Sequence, residues 1–354
     1  MNENLSFVDS SGMPERVRIL DFGADESYAP GSAFRTRTIR LEDGRALLQR
    51  RLLSAFALRP ESVDALEAEI RAGLTLIRAF QEVSYPPEFS RLAGYALDSE
   101  EPYLLLDPLR AGQSVADVAR GLLLLPEQKK LESSLFRALR LLEWADLVHR
   151  SITPATVRWD GTRVQLTGFA TADRVGRPRQ RLGSLPWASP EQREGTGTTD
   201  HRDDVWSAGQ LVYFVAHARE ATGNRMPPLA GPVRDTLLQD VFEDRAEGRP
   251  DARTMLRRVA APDPWDDLGR PVDPLNEGRR RFAELLDQKG PRAWPVTARP
   301  VEPGPPAAAA PSAGGGPDGP HRPASEQASA RPRLRPRGGG GRWGTGSRWI
   351  GEGR

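Results

Sequence analysis

The chain has 354 residues, 38% of them hydrophobic and 28% charged, which is enough to bury a sizeable core; with no cysteine it excludes disulfides, thiolate metal sites and cysteine nucleophiles. Its net charge of +2 is unevenly spread, because residues 291–354 hold ten Arg against four acidic residues and leave the remainder mildly acidic. Nowhere do 18 apolar residues run together and no basic segment precedes an apolar run, so a cytoplasmic protein with no membrane association is the expectation.

Residues 1–27 are mixed and weakly patterned, and read as an N-terminal extension with at most an added edge strand. FRTRTIRLEDGRALLQRRLL (34–53) alternates polar and apolar residues around the turn signal Asp43-Gly44, which predicts a β-hairpin. Beyond Pro60, apolar residues at Val63, Leu66, Ile70, Leu74 and Ile77 have the spacing of an amphipathic helix over 61–80. A β-rich piece follows over 89–109, in which Tyr103-Leu104-Leu105-Leu106 reads as a buried strand.

Past Gly112 the pattern turns helical, with helices expected over 114–125 and 126–150, the second opened by Pro126 and an acidic first turn. Two short strands fit RVQLTGF (163–169), and helices are expected again over 203–220, 232–243 and 251–259. The pieces add up to an α+β protein: a small β-rich lobe with one helix (28–110), a larger helical lobe (111–260) and a linker (261–290). In that linker EGRRRFAELLDQK (277–289) forms a short helix suited to docking a partner or the domain itself. From 291 to 354 Pro, Gly, Ala and Arg dominate and periodicity is lost, the composition of a disordered tail.

Five short stretches, in this order, resemble the Hanks-type serine/threonine protein kinase family in its bacterial form, over roughly residues 28–260. HRSITPATVRWD (149–160) is similar to the catalytic loop H-R-D-x-K-P-x-x-N, and VQLTGFA (164–170) to the strand leading into D-F-G. GSLPWASPE (183–191) resembles the end of an activation segment, DDVWSAG (203–209) the D-x-W-S-x-G helix, and GRPDARTML (248–256) the R-P-x-A element. The resemblance implies a bilobal kinase-like fold.

It further implies that Glu191 and Arg249 pair under the activation segment, that Asp204 holds the catalytic-loop backbone, and that Trp206 fills the core. His149, Arg150, Pro154 and Phe169 are the loop's other structural residues.

The residues that carry the chemistry depart from the pattern. Phosphoryl transfer needs an aspartate base, two magnesium ligands and a lysine. The base position is Ser151, the loop lysine Thr153, the asparagine ligand Thr156 and the D-F-G aspartate Gly168. No Lys precedes Lys129, so the phosphate-binding lysine of the third strand has only Gln49 or Arg50 to stand for it, with Glu69 as the matching glutamate. The phosphate-covering loop keeps one glycine, Gly31, in YAPGSAFRT; Leu106 and Asp107 flank an apolar adenine slot. ILDFGADE (19–26) holds a literal Asp21-Phe22-Gly23, read as incidental because no catalytic loop precedes it.

A pseudokinase is therefore the expected reading: a regulatory or scaffolding module with a protein partner, with ATP binding left open as weak and no ligand set for Mg²⁺. Two alternatives stand beside it. One is an atypical kinase recruiting Asp173 or Asp146; the other is a nucleic-acid or acidic-partner binder acting through the Arg, Gly, Trp343 and Trp349 of the tail. Four scattered histidines (His149, His201, His217, His321) form no metal ligand set. Ser184, Thr196, Thr198 and Thr199 are candidate phosphorylation sites.

Overall fold

The computed structural model describes residues 3–23, 33–109, 112–119, 123–220, 236–268, 281–282 and 284–285. The chain divides into two units, Met1–Pro291 and Arg292–Arg354; the described residues all belong to the first, and the expected disordered tail lies outside them.

Six strands make a closed barrel: β1 Glu3–Asp9, β2 Pro14–Phe22, β3 Phe34–Leu41, β4 Ala46–Leu52, β5 Leu92–Ala96 and β6 Tyr103–Leu106, in the order β1-β2-β3-β4-β6-β5. The expected hairpin is β3–β4, with Gly44 at φ +86 in its turn. The expected extension is instead a second hairpin. β1 pairs with β2 along six residues and with β5 at Val8↔Tyr95 and Asp9↔Gly94, which closes the sheet and removes its edges.

The turn between β1 and β2 holds because the Asp9 carboxylate accepts the Ser11 and Met13 N–H groups, while Gly12 takes a positive φ. The barrel interior fills with Leu5, Phe7, Ile19, Ile39, Leu41, Leu47, Tyr103 and Leu105.

The helix α1 (Ser54–Ala57) leads into α2 (Pro60–Ala79), opened by its Pro in the first turn. α2 lays Leu66 and Ile70 on Phe34, Leu52, Leu104 and Leu106, whereas its last turns, Ala72 and Leu76, belong to the core of the helical part. That second core gathers α4 (Leu125–Trp144), α6 (His201–His217) and α7 (Ala252–Arg258) around Leu135, Phe136, Leu139, Val205, Leu211 and Leu256. The short helices α3 (Val115–Val118), α5 (Pro190–Glu194) and α8 (Trp265–Leu268), and the strands β7 Gln113–Ser114, β8 Leu147–Val148, β9 Val157–Trp159, β10 Val164–Leu166 and β11 Asp173–Arg174, complete it.

Several helices differ in extent from the sequence expectation. The helix expected over 114–125 is the four residues of α3, Ala119 continuing in a 3₁₀ turn before residues outside the description. α4 stops at Trp144 and not at 150, because Asp146 sits at φ 55 and Leu147-Val148 turn into a strand paired with β11. Of 232–243, Thr236 and Leu237 are helical and the chain then turns. Of the expected docking helix 277–289, Arg281, Phe282, Glu284 and Leu285 are described and helical, with Phe282 and Leu285 exposed. Among the described residues no helix is long and apolar enough to cross a membrane.

Candidate functional site

The loop 149–156 hangs from the first turn of α6. Asp200 caps that helix in a reciprocal box with Asp203, which buries Asp203 and Asp204 side by side. The Asp204 carboxylate accepts the N–H of His149 at 2.6 Å and of Arg150 at 2.8 Å. Arg150 stands at φ 65, a conformation costly for an Arg, and these two bonds hold it there. Burial pushes the Asp204 carboxyl up to about 7 against the pull of its two N–H donors.

His149, fully buried, is pushed down to about 4 by desolvation and stays neutral. Its Nδ1 accepts the Ser151 N–H at 3.3 Å, which leaves the proton on Nε2, 3.1 Å from the Thr167 carbonyl. The His149 ring lies 4.5 Å from that of Phe169, which meets Phe89 at 6.2 Å, and Phe89 meets Phe80 at 6.3 Å. A column of rings thus runs from the end of α2 to the loop.

The positions that would carry chemistry are turned on themselves. The Thr156 hydroxyl donates to the Ser151 carbonyl at 2.6 Å and accepts the Thr153 N–H at 2.9 Å, so it closes its own loop. The Thr153 hydroxyl lies 3.3 Å from it. Gly168 has φ +73, and a Cβ there would stand 3.4 Å from Thr156 Cγ2 and 4.0 Å from Arg50 Nη1. Gly168 offers no side-chain oxygen, the Thr156 hydroxyl is committed to its own loop, and neither position supplies the carboxylate that Mg²⁺ favours, so these residues do not fit Mg²⁺.

On β4 side chains alternate between faces, so Gln49 and Arg50 point opposite ways. Arg50 shares the side of α2: its Nη1 is 2.8 Å from Glu69 Oε2 and 3.0 Å from Oε1, and its guanidinium lies over the Phe34 ring. Gln49 is buried on the other side with its amide oxygen accepting from Arg37 Nε at 2.7 Å, so of the two candidates it is Arg50 that meets Glu69. Because β1 adds a strand at the start of the barrel, Arg50 lies on the fourth strand and not the third.

Leu106 is buried against α2, and Asp107 pairs with Arg91 at 3.1 Å. Gly31 lies outside the described residues. The literal Asp21-Phe22-Gly23 closes β2, where Asp21 and Phe22 pair with β3 and the Gly23 N–H donates to the Thr38 carbonyl.

Below the loop the segment 173–199 is tied down. Arg249, buried, donates to the Glu191 carboxylate, to the Glu243 carbonyl at 2.8 Å and to the Asp244 carbonyl at 3.0 Å, and packs over Trp206. Trp206 donates from Nε1 to the Pro186 carbonyl. Asp203 draws Arg179 into a bidentate pair at 3.0 and 3.1 Å, accepts the Ser189 hydroxyl at 2.9 Å and lies 3.6 Å from Arg249 Nη1.

Backbone bonds run from Gly176 to Thr199, from Arg179 to Gly197 and from Leu182 to Gln192, so the segment folds back on itself as a ribbon. Sequence reading missed Arg179, Ser189 and Phe89. The acidic doublet Asp203-Asp204 hinted at a buried charge cluster, but nothing in the sequence marked its partners.

Of the acids considered for an atypical enzyme, Asp173 pairs with Arg150 Nη1 at 3.6 Å, and Asp146 lies exposed in the turn after α4. Thr199 is buried with its hydroxyl bonded to the Arg174 and Arg177 carbonyls, which withdraws it from the candidate phosphorylation sites; Ser184, Thr196 and Thr198 are exposed. A cavity of about 1210 Å³ runs between α2, the turn Ser10–Gly12 and residues 170–182. Arg150 and Asp173 are the candidate residues lining it; Arg50, Glu69, Leu106, Asp107, Thr156 and Gly168 do not. Among the described residues no three His, Asp or Glu side chains gather as metal ligands.

No family model matches the chain. It is similar to the rat serine/threonine-protein kinase SIK1, with 31% identity over 126 residues, which is 33% of this chain and 15% of that protein. It is also similar to ribosomal protein S6 kinase alpha-2, with 24% identity to the human and 25% to the mouse protein over 281 residues, 75% of this chain and 35% of each relative. The chain thus spans no more than about a third of the length of these curated relatives. Distant as it is, this similarity to serine/threonine kinases supports a protein-kinase-like domain in this mixed α and β chain.

Proposed function

We propose that the chain is a degenerate, bacterial-type kinase-like protein that does not transfer phosphate and serves as a regulatory or scaffolding module for a protein partner. The observation that carries this reading is the pair of metal-ligand positions: Gly168 has no side chain, and the Thr156 hydroxyl is spent on Ser151 and Thr153. Losing a general base costs about 10²- to 10⁴-fold in rate, and Ser151 stands where the base belongs. The metal-held charge stabilisation, usually the largest contribution, has no ligands to build on.

Nucleotide binding is a separate matter. Arg50, held by Glu69 and facing Gly168, is a cation that no metal-ligating carboxylate opposes at that position, so it suits the phosphates of a nucleotide without Mg²⁺. Calorimetry with ATP, in the presence and absence of Mg²⁺, tests this: binding that is weak and indifferent to Mg²⁺ is expected. Transfer of label from γ-labelled ATP to a generic substrate, abolished in Asp173→Ala, would overturn the inactive reading in favour of an atypical kinase. Strongly salt-dependent RNA binding that is lost when residues 291–354 are removed would instead assign a function to the tail.

A further inference from the structure

The chain has 47 Arg but only three Lys, and two of the three, Lys129 and Lys130, are adjacent on α4 and line one pocket. That pocket, of about 530 Å³, lies among α4, the turn between β9 and β10, and residues 87–88 and 261–262. Arg137 and Arg163 bring its lining cations to four, with the hydroxyls of Ser133 and Thr162 between them. The lone carboxylate is Glu88, only 2% exposed. Its Oε1 accepts from Arg137 Nε at 3.1 Å, whereas its Oε2 is buried without a hydrogen-bond partner. A buried carboxylate oxygen left without a donor is costly, so this atom marks a place built to receive one.

We infer that this pocket is a docking site for an acidic peptide segment of a partner protein, whose carboxylates meet Lys129, Lys130 and Arg163 while one of its N–H groups donates to Glu88 Oε2. The chemistry selects the ligand on two counts. Net positive charge spread along an open rim, with Lys129, Lys130 and Arg163 all exposed, matches a chain of carboxylates better than a single compact ion. An extended peptide also supplies backbone N–H donors beside its carboxylates, and a polyphosphate brings acceptors only. The site gives the scaffold reading a surface and a partner chemistry, and it does not involve the cleft around Arg50, so failure of one leaves the other standing.

The scarcity of lysine makes the test direct. The full chain is briefly treated with an acetylating reagent at low salt, alone and with a short peptide of alternating Glu and Gly, and modification at Lys129 and Lys130 is read by mass spectrometry against Lys289. Protection of the first two and not of Lys289 is expected. In calorimetry the peptide's affinity should fall about tenfold in Lys129→Glu/Lys130→Glu, whose exposed positions leave folding intact, and should weaken as salt rises.

Glu88→Gln separates the sources of charge: it weakens the peptide several-fold and tightens tripolyphosphate. No protection at saturating peptide, or an affinity indifferent to the lysine reversal, overturns the inference. Equal protection by tripolyphosphate with no loss of peptide binding in Glu88→Gln also overturns it, in favour of a plain anion site.

Discussion

Beneath the segment 173–199, Arg249, Glu191, Asp203, Arg179 and Ser189 share at least six hydrogen bonds among themselves and nearby carbonyls, and every charge there has an opposite charge against it. Around Arg50, by contrast, Arg50 and Glu69 make one pair, Thr156 bonds inward, and Gly168 presents backbone alone. The two regions differ in what would constrain them. A buried charge network fails as a unit when one member goes, so it is held by folding itself. Residues that only meet a metal or a substrate have no such tie to stability, and their loss leaves the fold intact.

That contrast can be broken most severely at its base. Arg249→Ala strands Glu191, takes one of two cations from Asp203 and is expected to cost about 3–5 kcal/mol, read from urea unfolding. A variant unfolding like the wild type would mean that the network adds little. The pH dependence probes the link between the two regions. Asp204 binds its proton more tightly folded than unfolded, so its share of stability is present below its ordinary value of 3.8 and is lost as pH rises towards about 7. His149 does the reverse, contributing above its ordinary 6.5 and losing that contribution as pH falls to about 4.

From about pH 4 to 6.5 the two oppose each other, and the wild-type stability should change little on their account. Asp204→Asn leaves His149 unopposed, so that variant's stability should climb with pH across the same range by up to about 1.4 kcal/mol per pH unit, as unfolding at stepped pH would reveal.

In the cleft the expected effects are smaller. Arg50→Met removes a largely buried partner from Glu69 and should cost about 1–3 kcal/mol in the same unfolding assay. Gly168→Asp sharpens the comparison most finely. Asp tolerates positive φ and the neighbouring atoms leave room for its Cβ, so about 1 kcal/mol of stability should be lost. In return the variant's melting shift with ATP should become Mg²⁺-dependent, a dependence that the parent does not show.

How much of this was legible beforehand differs between neighbours in the chain. The Glu191 and Arg249 pair and the Asp204 hold on the loop are legible in five short stretches in a fixed order, because each of those side chains is tied to a local motif, whereas Glu69 is matched from sequence to either Gln49 or Arg50. Over residues 1–27 the sequence supports one added edge strand and not the hairpin β1–β2, although Leu5 and Phe7, then Val17 and Ile19, alternate as strands do. Their polar partners Ser6, Arg16 and Arg18 and the missing long apolar run hid a signal that makes sense only once β5 is there to be covered. The end of α4 was misplaced because the Leu147-Val148 pairing with β11 comes from residues more than twenty positions on.

The amino-acid sequence by itself determined the hairpin β3–β4, the amphipathic α2, the long α4 and the absence of the usual phosphotransfer side chains at 151, 153, 156 and 168. Those properties rest on local periodicity, on turn residues and on residue identity, which need no partner to be read. Only the tertiary structure decided the closure of the barrel, the choice of Arg50 over Gln49, the capture of Arg179 by Asp203 and the stranded Glu88 Oε2. Each of these depends on which distant groups arrive beside a side chain and how much water they exclude, and burial and pairing across the fold cannot be read from a stretch of chain taken alone.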